Sequence, residues 1–139
     1  MSHTLAIIKP DAVGAGKAGA ILAHLEHAGF KVRALRLTTM DAKQAGAFYA
    51  VHEGRPFYAE LVEFMTSGPV MPMVLEADGA VAKLRDTIGA TDPAEAADGT
   101  VRKLFAESKG RNAIHASDSD ENAAIEIGFF FSAHERLRL

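Results

Sequence analysis

The chain has 139 residues, enough for one domain with its own core, and we expect residues 1–139 to form that single domain. Fifteen basic residues stand against eighteen acidic ones, so the formal net charge of −3 excludes a protein that attracts nucleic acid through an overall positive field. The absence of cysteine excludes disulfide bonds and thiolate chemistry, and without a signal peptide or a membrane-length apolar run we expect a soluble, cytoplasmic protein.

The beginning of the chain has the pattern strand, helix, strand. Residues 5–8 are a short apolar run typical of a buried strand, which Pro10 ends because proline cannot donate to a ladder. Apolar residues at helical spacing over 21–28, followed by Gly29, predict a helix with a glycine beyond its C-terminal end. Alternating apolar residues over 30–37 suggest the second strand.

The rest of the chain continues the alternation. Asp41 and Gln44 form a capping-box pattern that begins a helix running through Tyr49. Pro72 lies in the third strand pattern and favours an edge position for that strand. The remaining predicted elements are a helix over 57–65, a strand over 70–76, a helix capped by Asp78 through Ile88, a loop over 89–99, a helix over 100–106, a loop over 108–117, a helix over 118–126 and a fourth strand over 129–131. Strands with helices between them predict an α+β or α/β sandwich.

A glycine-rich segment follows the first strand pattern. Residues 14–19 match the G-x-G-x-x-G fingerprint of dinucleotide-binding proteins, with Asp41 near the offset of its ribose-binding acid. In that fingerprint the first glycine directly follows a strand, whereas here residues 9–13 intervene. We therefore interpret the segment as a glycine-rich turn.

Histidines offer two candidate sites. His24 and His27 share a helix face but lack the further ligands that a metal site needs, so we interpret them as exposed helix residues. His115 lies just before a predicted helix N-terminus, where free N–H groups favour a phosphate. A neutral imidazole is a competent nucleophile, and Glu126 is a candidate to hold its other nitrogen. From the residues alone, a loop or capping histidine is an equally good interpretation.

Basic residues near these elements favour the functional interpretation of His115. Arg85, Arg102 and Arg111 lie near the ends of short elements, and a guanidinium binds phosphate oxygens in pairs. Lys9 directly follows an apolar strand, at a position that often faces ligands. Each of these charges alone is weak evidence, since most basic residues lie on the surface without a ligand.

Several segments together resemble the nucleoside diphosphate kinase family, from about Thr4 to Phe131. The resemblance is carried by N-A-I-H-A-S-D-S at 112–119, I-I-K-P-D at 7–11, F-Y at 48–49 with R-P-F-Y at 55–58, S-G-P-V at 67–70, G-A-T-D-P-A at 89–94 and G-T-V-R at 99–102. It implies a ferredoxin-like fold, a four-stranded antiparallel sheet covered by helices. It also implies transfer of a γ-phosphoryl group from a nucleoside triphosphate to His115 and then to a nucleoside diphosphate, with broad base specificity and Mg²⁺ carried on the nucleotide.

The resemblance also implies roles for individual residues. His115 is the nucleophile, oriented by Glu126 and Ser117, and Asp118 contacts the magnesium through water. The other implied site residues are Lys9 and Tyr49 beside the transferred group, Arg85, Thr91 and Arg102 on the phosphates, Asn112 on the ribose and Phe57 on the base. We expect no metal ligand directly on the protein.

Two positions depart from the family pattern. Ala116 replaces the usual glycine after the histidine, and alanine would be strained if that position required a positive φ; we expect a backbone conformation that alanine can adopt. Lys109 stands where an apolar residue often covers the base, and its aliphatic stem can still do so.

The resemblance further implies a homo-oligomer, and the short segment after Phe131 favours a dimer or tetramer over a hexamer. Two other classes of function remain open from the sequence. One is a non-catalytic ferredoxin-like module that binds a nucleotide or a partner, and the other is a dinucleotide-binding protein.

Overall fold

A four-stranded sheet forms the centre of the computed structural model, which describes residues 1–139. Its strands are β1 (Ser2–Ile8), β2 (Lys31–Leu35), β3 (Met71–Ala77) and β4 (Ile114–Ala116). They lie in the order β2-β3-β1-β4, and every neighbouring pair is antiparallel. This is the ferredoxin-like α+β fold that the family resemblance predicts.

Eight α-helices surround the sheet: α1 (Pro10–Gly14), α2 (Ala18–His27), α3 (Ala42–Phe48), α4 (Tyr58–Met65), α5 (Ala80–Ile88), α6 (Val101–Phe105), α7 (Asp120–Phe130) and α8 (Ala133–Arg136). The capping box at the start of α3 is confirmed, since Asp41 accepts from the Gln44 N–H and the Gln44 side chain accepts from the Asp41 N–H. Thr100 caps α6 through the Lys103 N–H. None of these helices is both long and apolar enough to cross a membrane.

The alternation of side chains along β1 gives the sheet two buried faces. Ala6 and Ile8 belong to one hydrophobic cluster, which also contains residues of α2, α5 and α6. Leu5 and Ile7 belong to a second cluster, which contains residues of α3, α4 and α7. The central strand is therefore buried on both sides, which explains why residues 5–8 are a continuous apolar run.

The predicted fourth strand over 129–131 is wrong. Residues 120–130 form helix α7, and β4 is formed by Ile114–Ala116 inside the segment that we predicted as a loop. Ala123, Ile127 and Phe131 are buried at a spacing of four residues, the spacing of a helical face. Phe129 and Phe130 therefore end helix α7, and Phe131 directly after it is buried, so the three phenylalanines do not form a strand.

Two further predictions need correction. Pro72 does not mark an edge strand, because β3 lies between β2 and β1. The N–H and the carbonyl of a residue in an antiparallel strand point toward the same neighbouring strand. The Pro72 carbonyl accepts from the Arg36 N–H just beyond the end of β2, so the N–H that proline lacks would also point to the end of that ladder. Pro72 is therefore tolerated there. Asp78 does not cap α5: the N-cap is Gly79, and the Ala80 N–H donates to Ser2 Oγ instead.

The glycine-rich segment over 14–19 includes the turn between two helices. Gly14 ends α1, Gly16 adopts a positive φ of 74° in the turn, and Gly19 lies in α2. The glycines therefore lie away from the end of the strand, as the interpretation as a plain turn requires.

Candidate active site

His115 lies on the opposite face of β4 from its two neighbours. Ile114 and Ala116 point into the cluster of α2, α5 and α6, so strand alternation turns His115 toward α3 and α7. It pairs with Ile7 across the ladder and keeps 18% of its side chain exposed. The imidazole is thus held by a rigid strand yet remains accessible from solvent.

A carboxylate fixes one nitrogen of this imidazole. His115 Nε2 lies 2.7 Å from Glu126 Oε1, and the Ser117 hydroxyl donates to the same oxygen at 2.8 Å. Since a carboxylate only accepts hydrogen bonds, Nε2 must carry the proton in this pair. The lone pair of the neutral ring is therefore on Nδ1.

Two aromatic rings of the α3 end pack against the imidazole. The rings of Phe48 and Tyr49 meet that of His115 edge to face, with centroids 5.4 and 6.0 Å apart. The Tyr49 hydroxyl is buried and has no hydrogen-bond partner within the chain. Burial, and then the charge of Glu126, raise the pKa of Tyr49, so its phenol stays protonated and available as a donor.

Lys9 brings a buried cation to the same place. It directly follows β1, is 9% exposed, and donates from Nζ to Asn112 Oδ1 at 2.9 Å. Burial and the charge of Arg102 lower the pKa of Lys9 to about 8, and the charge of Asp11 offsets part of this effect. Lys9 therefore remains mostly charged at neutral pH although it has no carboxylate bonded to it.

Arg102 and Arg85 add two further cations. Arg102 is 8% exposed and donates to the carbonyl oxygens of Gly89 at 3.0 Å and Ile114 at 2.8 Å. Burial and the charge of Arg85 lower the pKa of Arg102 to about 10. Arg85 is exposed and reaches the carbonyl of Ala116 at 3.4 Å. Both guanidinium groups are thus attached to the backbone of β4, on either side of His115.

The surroundings of His115 keep it neutral. Burial has the largest effect and lowers the pKa of His115, and the charges of Lys9 and Arg102 lower it further. Glu126 acts in the opposite direction without reversing the result. At neutral pH the ring is therefore an uncharged base beside several cations.

The backbone strain in this segment lies at Ala113 rather than Ala116. Ala113 has a φ of 74° and is the one residue other than glycine with a positive φ. Ala116 lies in β4, so the expectation of a conformation that alanine can adopt is met. No sequence signal pointed to the strain at Ala113, because alanine does not mark a left-handed position.

The outer predicted residues are more exposed than the group around His115. Phe57 is 45% exposed, and Thr91, Asp118 and Lys109 are exposed. The ring of His52 lies between those of Tyr49 and Phe57, at centroid distances of 6.4 and 5.1 Å.

Sequence reasoning missed His52. Its Nδ1 is buried without a partner in the chain. Its position three residues after Tyr49, at the end of a helical stretch, was the available signal.

A magnesium ion held by nucleotide phosphates fits the carboxylates present. No group of three or more His, Cys, Asp or Glu side chains forms a ligand set anywhere in the chain. Asp118 is an exposed carboxylate whose pKa is lowered by a hydrogen bond from Asn122, and also by the charge of Arg85. Asp118 is thus ionised at neutral pH, the state in which a carboxylate can contact a hydrated magnesium ion through water.

The other histidines considered from the sequence do not extend this site. His24 packs edge to face against Phe105, with centroids 6.3 Å apart, and His27 is exposed on α2. The structure therefore brings together His115, Glu126, Ser117, Tyr49, Lys9, Asn112, Arg102 and Arg85. A neutral base among three cations is suited to attack on an anionic electrophile such as a phosphate.

Known proteins resemble this chain in both sequence and fold. The family profile described as "Nucleoside diphosphate kinase" matches residues 2–136. A nucleoside diphosphate kinase of Prosthecochloris aestuarii is 60% identical over 139 residues, covering 100% of this chain and 99% of that protein.

Solved structures agree with the sequence comparison. The nucleoside diphosphate kinase of Aquifex aeolicus has a TM-score of 0.94 at 48% identity, covering 96% of this chain and 97% of that one. The halophilic enzyme of Halobacterium salinarum, solved in complex with CDP, has a TM-score of 0.91 at 39% identity, covering 96% and 90%.

Proposed function

This chain belongs to the nucleoside diphosphate kinase family, an enzyme family that transfers a phosphoryl group from a nucleoside triphosphate to a nucleoside diphosphate, and we propose that it does so in two steps through a phosphohistidine on His115. The observation that carries the proposal is the 2.7 Å bond between His115 Nε2 and Glu126, which leaves the Nδ1 lone pair free in a neutral ring.

In the first step, Nδ1 of His115 attacks the γ-phosphorus of the triphosphate. A nitrogen–phosphorus bond forms, the bond from the γ-phosphorus to the bridging oxygen breaks, and the nucleoside diphosphate leaves with that electron pair. Glu126 holds the Nε2 proton and stabilises the charge that develops on the ring. In the second step a terminal β-phosphate oxygen of the acceptor diphosphate attacks the phosphorus of the phosphohistidine. An oxygen–phosphorus bond forms, the nitrogen–phosphorus bond breaks, and its electron pair returns to Nδ1, so the ring becomes neutral again.

The cations provide most of the rate enhancement in this mechanism. Lys9, Arg102 and Arg85 spread the negative charge of the transferred group and its leaving oxygen. The protonated Tyr49 phenol lacks a partner within the chain, so it can donate to a substrate oxygen that reaches it, and His52 Nδ1 can do the same in the tautomer that carries its proton there. Because these groups are fixed by the strand and its neighbours, they need little rearrangement during the reaction.

The outer residues bind the rest of the nucleotide in this proposal. Phe57 stacks on the base, Asn112 contacts the ribose and Thr91 contacts the phosphates. Stacking uses a ring face that every base has, so we expect broad base specificity. Magnesium neutralises part of the phosphate charge when bound, and Asp118 contacts it through a water molecule.

We further propose that residues 1–139 act as one catalytic domain in the cytoplasm and assemble as a homo-oligomer, a dimer or tetramer rather than a hexamer. The exposed apolar side chains of Leu35 and Leu37 lie at the outer edge of the sheet, where a second copy would cover them. Light scattering on the purified protein measures the subunit number.

Labelling with γ-phosphate-labelled ATP and magnesium tests the mechanism. We expect a phosphoprotein that is stable to alkali and labile to acid, and the label should move to added nucleoside diphosphates regardless of their base. His115→Ala should remove both the label and the transfer activity. Full transfer activity in that variant would exclude the mechanism.

His27→Ala is the matched control for the loss of a histidine. His27 is exposed on α2 and contacts none of the groups around His115. It should label and transfer like the unchanged protein, so a loss confined to His115→Ala identifies the phosphorylated residue.

A further inference from the structure

A γ-turn centred on Ala113 directly precedes β4. The Ile114 N–H donates to the carbonyl of Asn112 at 2.9 Å, and Ala113 between them has a φ of 74°. A γ-turn with a positive φ at its centre is a rare and strained conformation. It persists in a folded protein only where neighbouring groups hold it in place.

Two groups at the start of α1 hold this turn. The Ala113 N–H donates to Asp11 Oδ2 at 3.0 Å, and the Ala113 carbonyl accepts from the Lys9 N–H at 2.8 Å. Asp11 is 6% exposed and Ala113 is fully buried, so water is not available to replace either bond. The contact joins positions 102 residues apart in the chain.

The turn connects three groups of the site. The Asn112 side chain on one side accepts from Lys9 Nζ at 2.9 Å. The Ile114 carbonyl on the other side accepts from Arg102 at 2.8 Å, and His115 is the next residue. Relaxation of Ala113 toward a negative φ would rotate the peptide groups on which these contacts depend.

We propose that Asp11 is a positioning residue: by accepting the Ala113 N–H, its carboxylate maintains the strained turn that aligns Asn112, the Arg102 anchor and His115. This inference rests on the proposed phosphoryl transfer through His115. Asp11 itself touches no substrate in this role, and its effect passes through the turn.

Two other roles for Asp11 make different predictions. Asp11 lies in the first turn of α1, where a negative charge stabilises a helix, and its charge also favours protonated Lys9. Both of these effects require the negative charge of Asp11, and neither depends on the φ of Ala113. The positioning role needs an acceptor oxygen at one place and depends on the strain at Ala113.

Four variants separate these roles: Asp11→Asn, Asp11→Ala, Ala113→Gly, and Asp11→Ala combined with Ala113→Gly. The rate of His115 phosphorylation by ATP is measured by rapid quench on the folded fraction, together with the thermal unfolding midpoint. Asp11→Asn keeps the acceptor and should phosphorylate close to the unchanged rate, whereas Asp11→Ala should be slower by about tenfold or more. Glycine adopts a positive φ without strain, so the double variant should regain most of that loss.

The proposal is overturned if Asp11→Asn is as slow as Asp11→Ala, or if the double variant phosphorylates as slowly as Asp11→Ala alone. If Asp11→Ala does not fold, Asp11→Glu replaces it, since glutamate keeps the charge but displaces the acceptor, and a slow Asp11→Glu beside a fast Asp11→Asn supports the proposal. Asp78→Asn, at an exposed carboxylate remote from His115, is the control.

A separate readout distinguishes this inference from the proposed function. Hydrogen exchange at the Ala113 amide should be slow in the unchanged protein and in Asp11→Asn, and faster in Asp11→Ala. If the unchanged protein forms no phosphohistidine, the proposed function fails while the amide exchange still decides the role of Asp11. Equal exchange in all variants would overturn the positioning role.

Discussion

The chemistry of single residues here depends on burial more than on ion pairing. Lys9, Arg102 and His115 all have pKa values lowered first by burial, and each is lowered further by a neighbouring cation. Concentrated positive charge without matching carboxylates is unfavourable in the free protein. The same positive charge becomes favourable when an anion such as a polyphosphate enters the site. The difference in electrostatic free energy between the free and the anion-bound protein is a source of binding energy and of transition-state stabilisation.

The pH dependence of phosphorylation should reflect His115 and Lys9. In the proposed mechanism the neutral form of His115 is the nucleophile. Its pKa lies below the ordinary 6.5, so kcat/KM should stay constant down to about pH 6.5 and fall only in more acidic solution. The proposed mechanism also uses the charged form of Lys9, whose pKa is about 8, so kcat/KM should fall again above about pH 8. Steady-state kinetics from roughly pH 5 to roughly pH 10 measures both limbs.

Lys9→Arg identifies the group responsible for the alkaline limb. A guanidinium stays protonated well above the pH at which Lys9 loses its proton. The variant should be slower, because its longer side chain misplaces the charge, but its alkaline limb should move to higher pH. An alkaline limb that remains near pH 8 in Lys9→Arg would contradict the assignment to Lys9.

At the scale of elements, the end of α5 positions Arg102. The helix ends at Gly89, whose φ of 86° and ψ of −175° belong to a region that essentially only glycine adopts. A Cβ at this position would lie 2.6 Å from Thr100 Oγ1, at the N-cap of α6. The carbonyl of the same residue accepts from Arg102, so the close approach of the two helix ends also fixes the guanidinium.

Gly89→Ala should therefore reduce both stability and catalysis. The strained backbone and the clash with Thr100 should together lower the free energy of unfolding by about 3 kcal/mol. Displacement of the Arg102 anchor should also slow phosphorylation of the folded protein by about tenfold. Urea unfolding and rapid-quench kinetics measure the two effects separately.

Gly99→Ala is the matched control for this substitution. Gly99 has a φ of 83°, but a Cβ there would meet no atom within 4 Å. It should lose only about 1 kcal/mol, the approximate cost of a left-handed alanine, and keep its phosphorylation rate. Equal losses in both variants would show that the contact with Thr100 is unimportant.

Elements with strong local signals could be predicted from the sequence, and those determined by tertiary contacts could not. The capping box of α3 and the glycine after α2 are local patterns, and both were predicted correctly. β4 has only three residues and exists because it pairs with β1, so no periodicity was available to detect it. Three consecutive phenylalanines then led to a strand prediction in α7, although the buried spacing of Ala123 and Ile127 is helical.

In the candidate site, too, local sequence signals could be predicted and tertiary contacts could not. The family resemblance indicated His115, Glu126 and Lys9, and the structure brings these residues together. The Asp11 contact with Ala113 spans 102 positions, and neither residue type marks a strained turn. Such a contact is visible only once the chain is folded.

At the scale of the whole molecule, the site should reduce the stability of the free protein. The fall in the pKa of Lys9 from its ordinary 10.5 to about 8 corresponds to about 3 kcal/mol of unfavourable free energy for the charged form in the folded state. Most of this cost comes from burial, and the nearby charge of Arg102 adds to it.

Lys9→Met should consequently stabilise the protein while abolishing phosphorylation. Removing the buried charge should raise the free energy of unfolding by about 3 kcal/mol, and losing the hydrogen bond to buried Asn112 should lower it by about 1 kcal/mol. At about pH 7 we therefore expect a net increase of about 2 kcal/mol. Lys9 has a lower pKa in the folded than in the unfolded state, so the unfolded chain binds more protons between pH 8 and 10.5 and the unchanged protein gains stability across that window. The advantage of Lys9→Met should therefore be complete at neutral pH and disappear as the pH approaches 10.5.

Urea unfolding of both proteins at neutral and alkaline pH measures this difference. Lys43→Met removes an exposed lysine from α3 and should leave stability nearly unchanged at either pH. A saturating nucleoside diphosphate should reverse the order of stability, because it binds the folded unchanged protein more tightly than the variant that lacks the cation. A Lys9→Met protein that is less stable than the unchanged one at neutral pH without nucleotide would show that Lys9 contributes more to the fold than its burial costs.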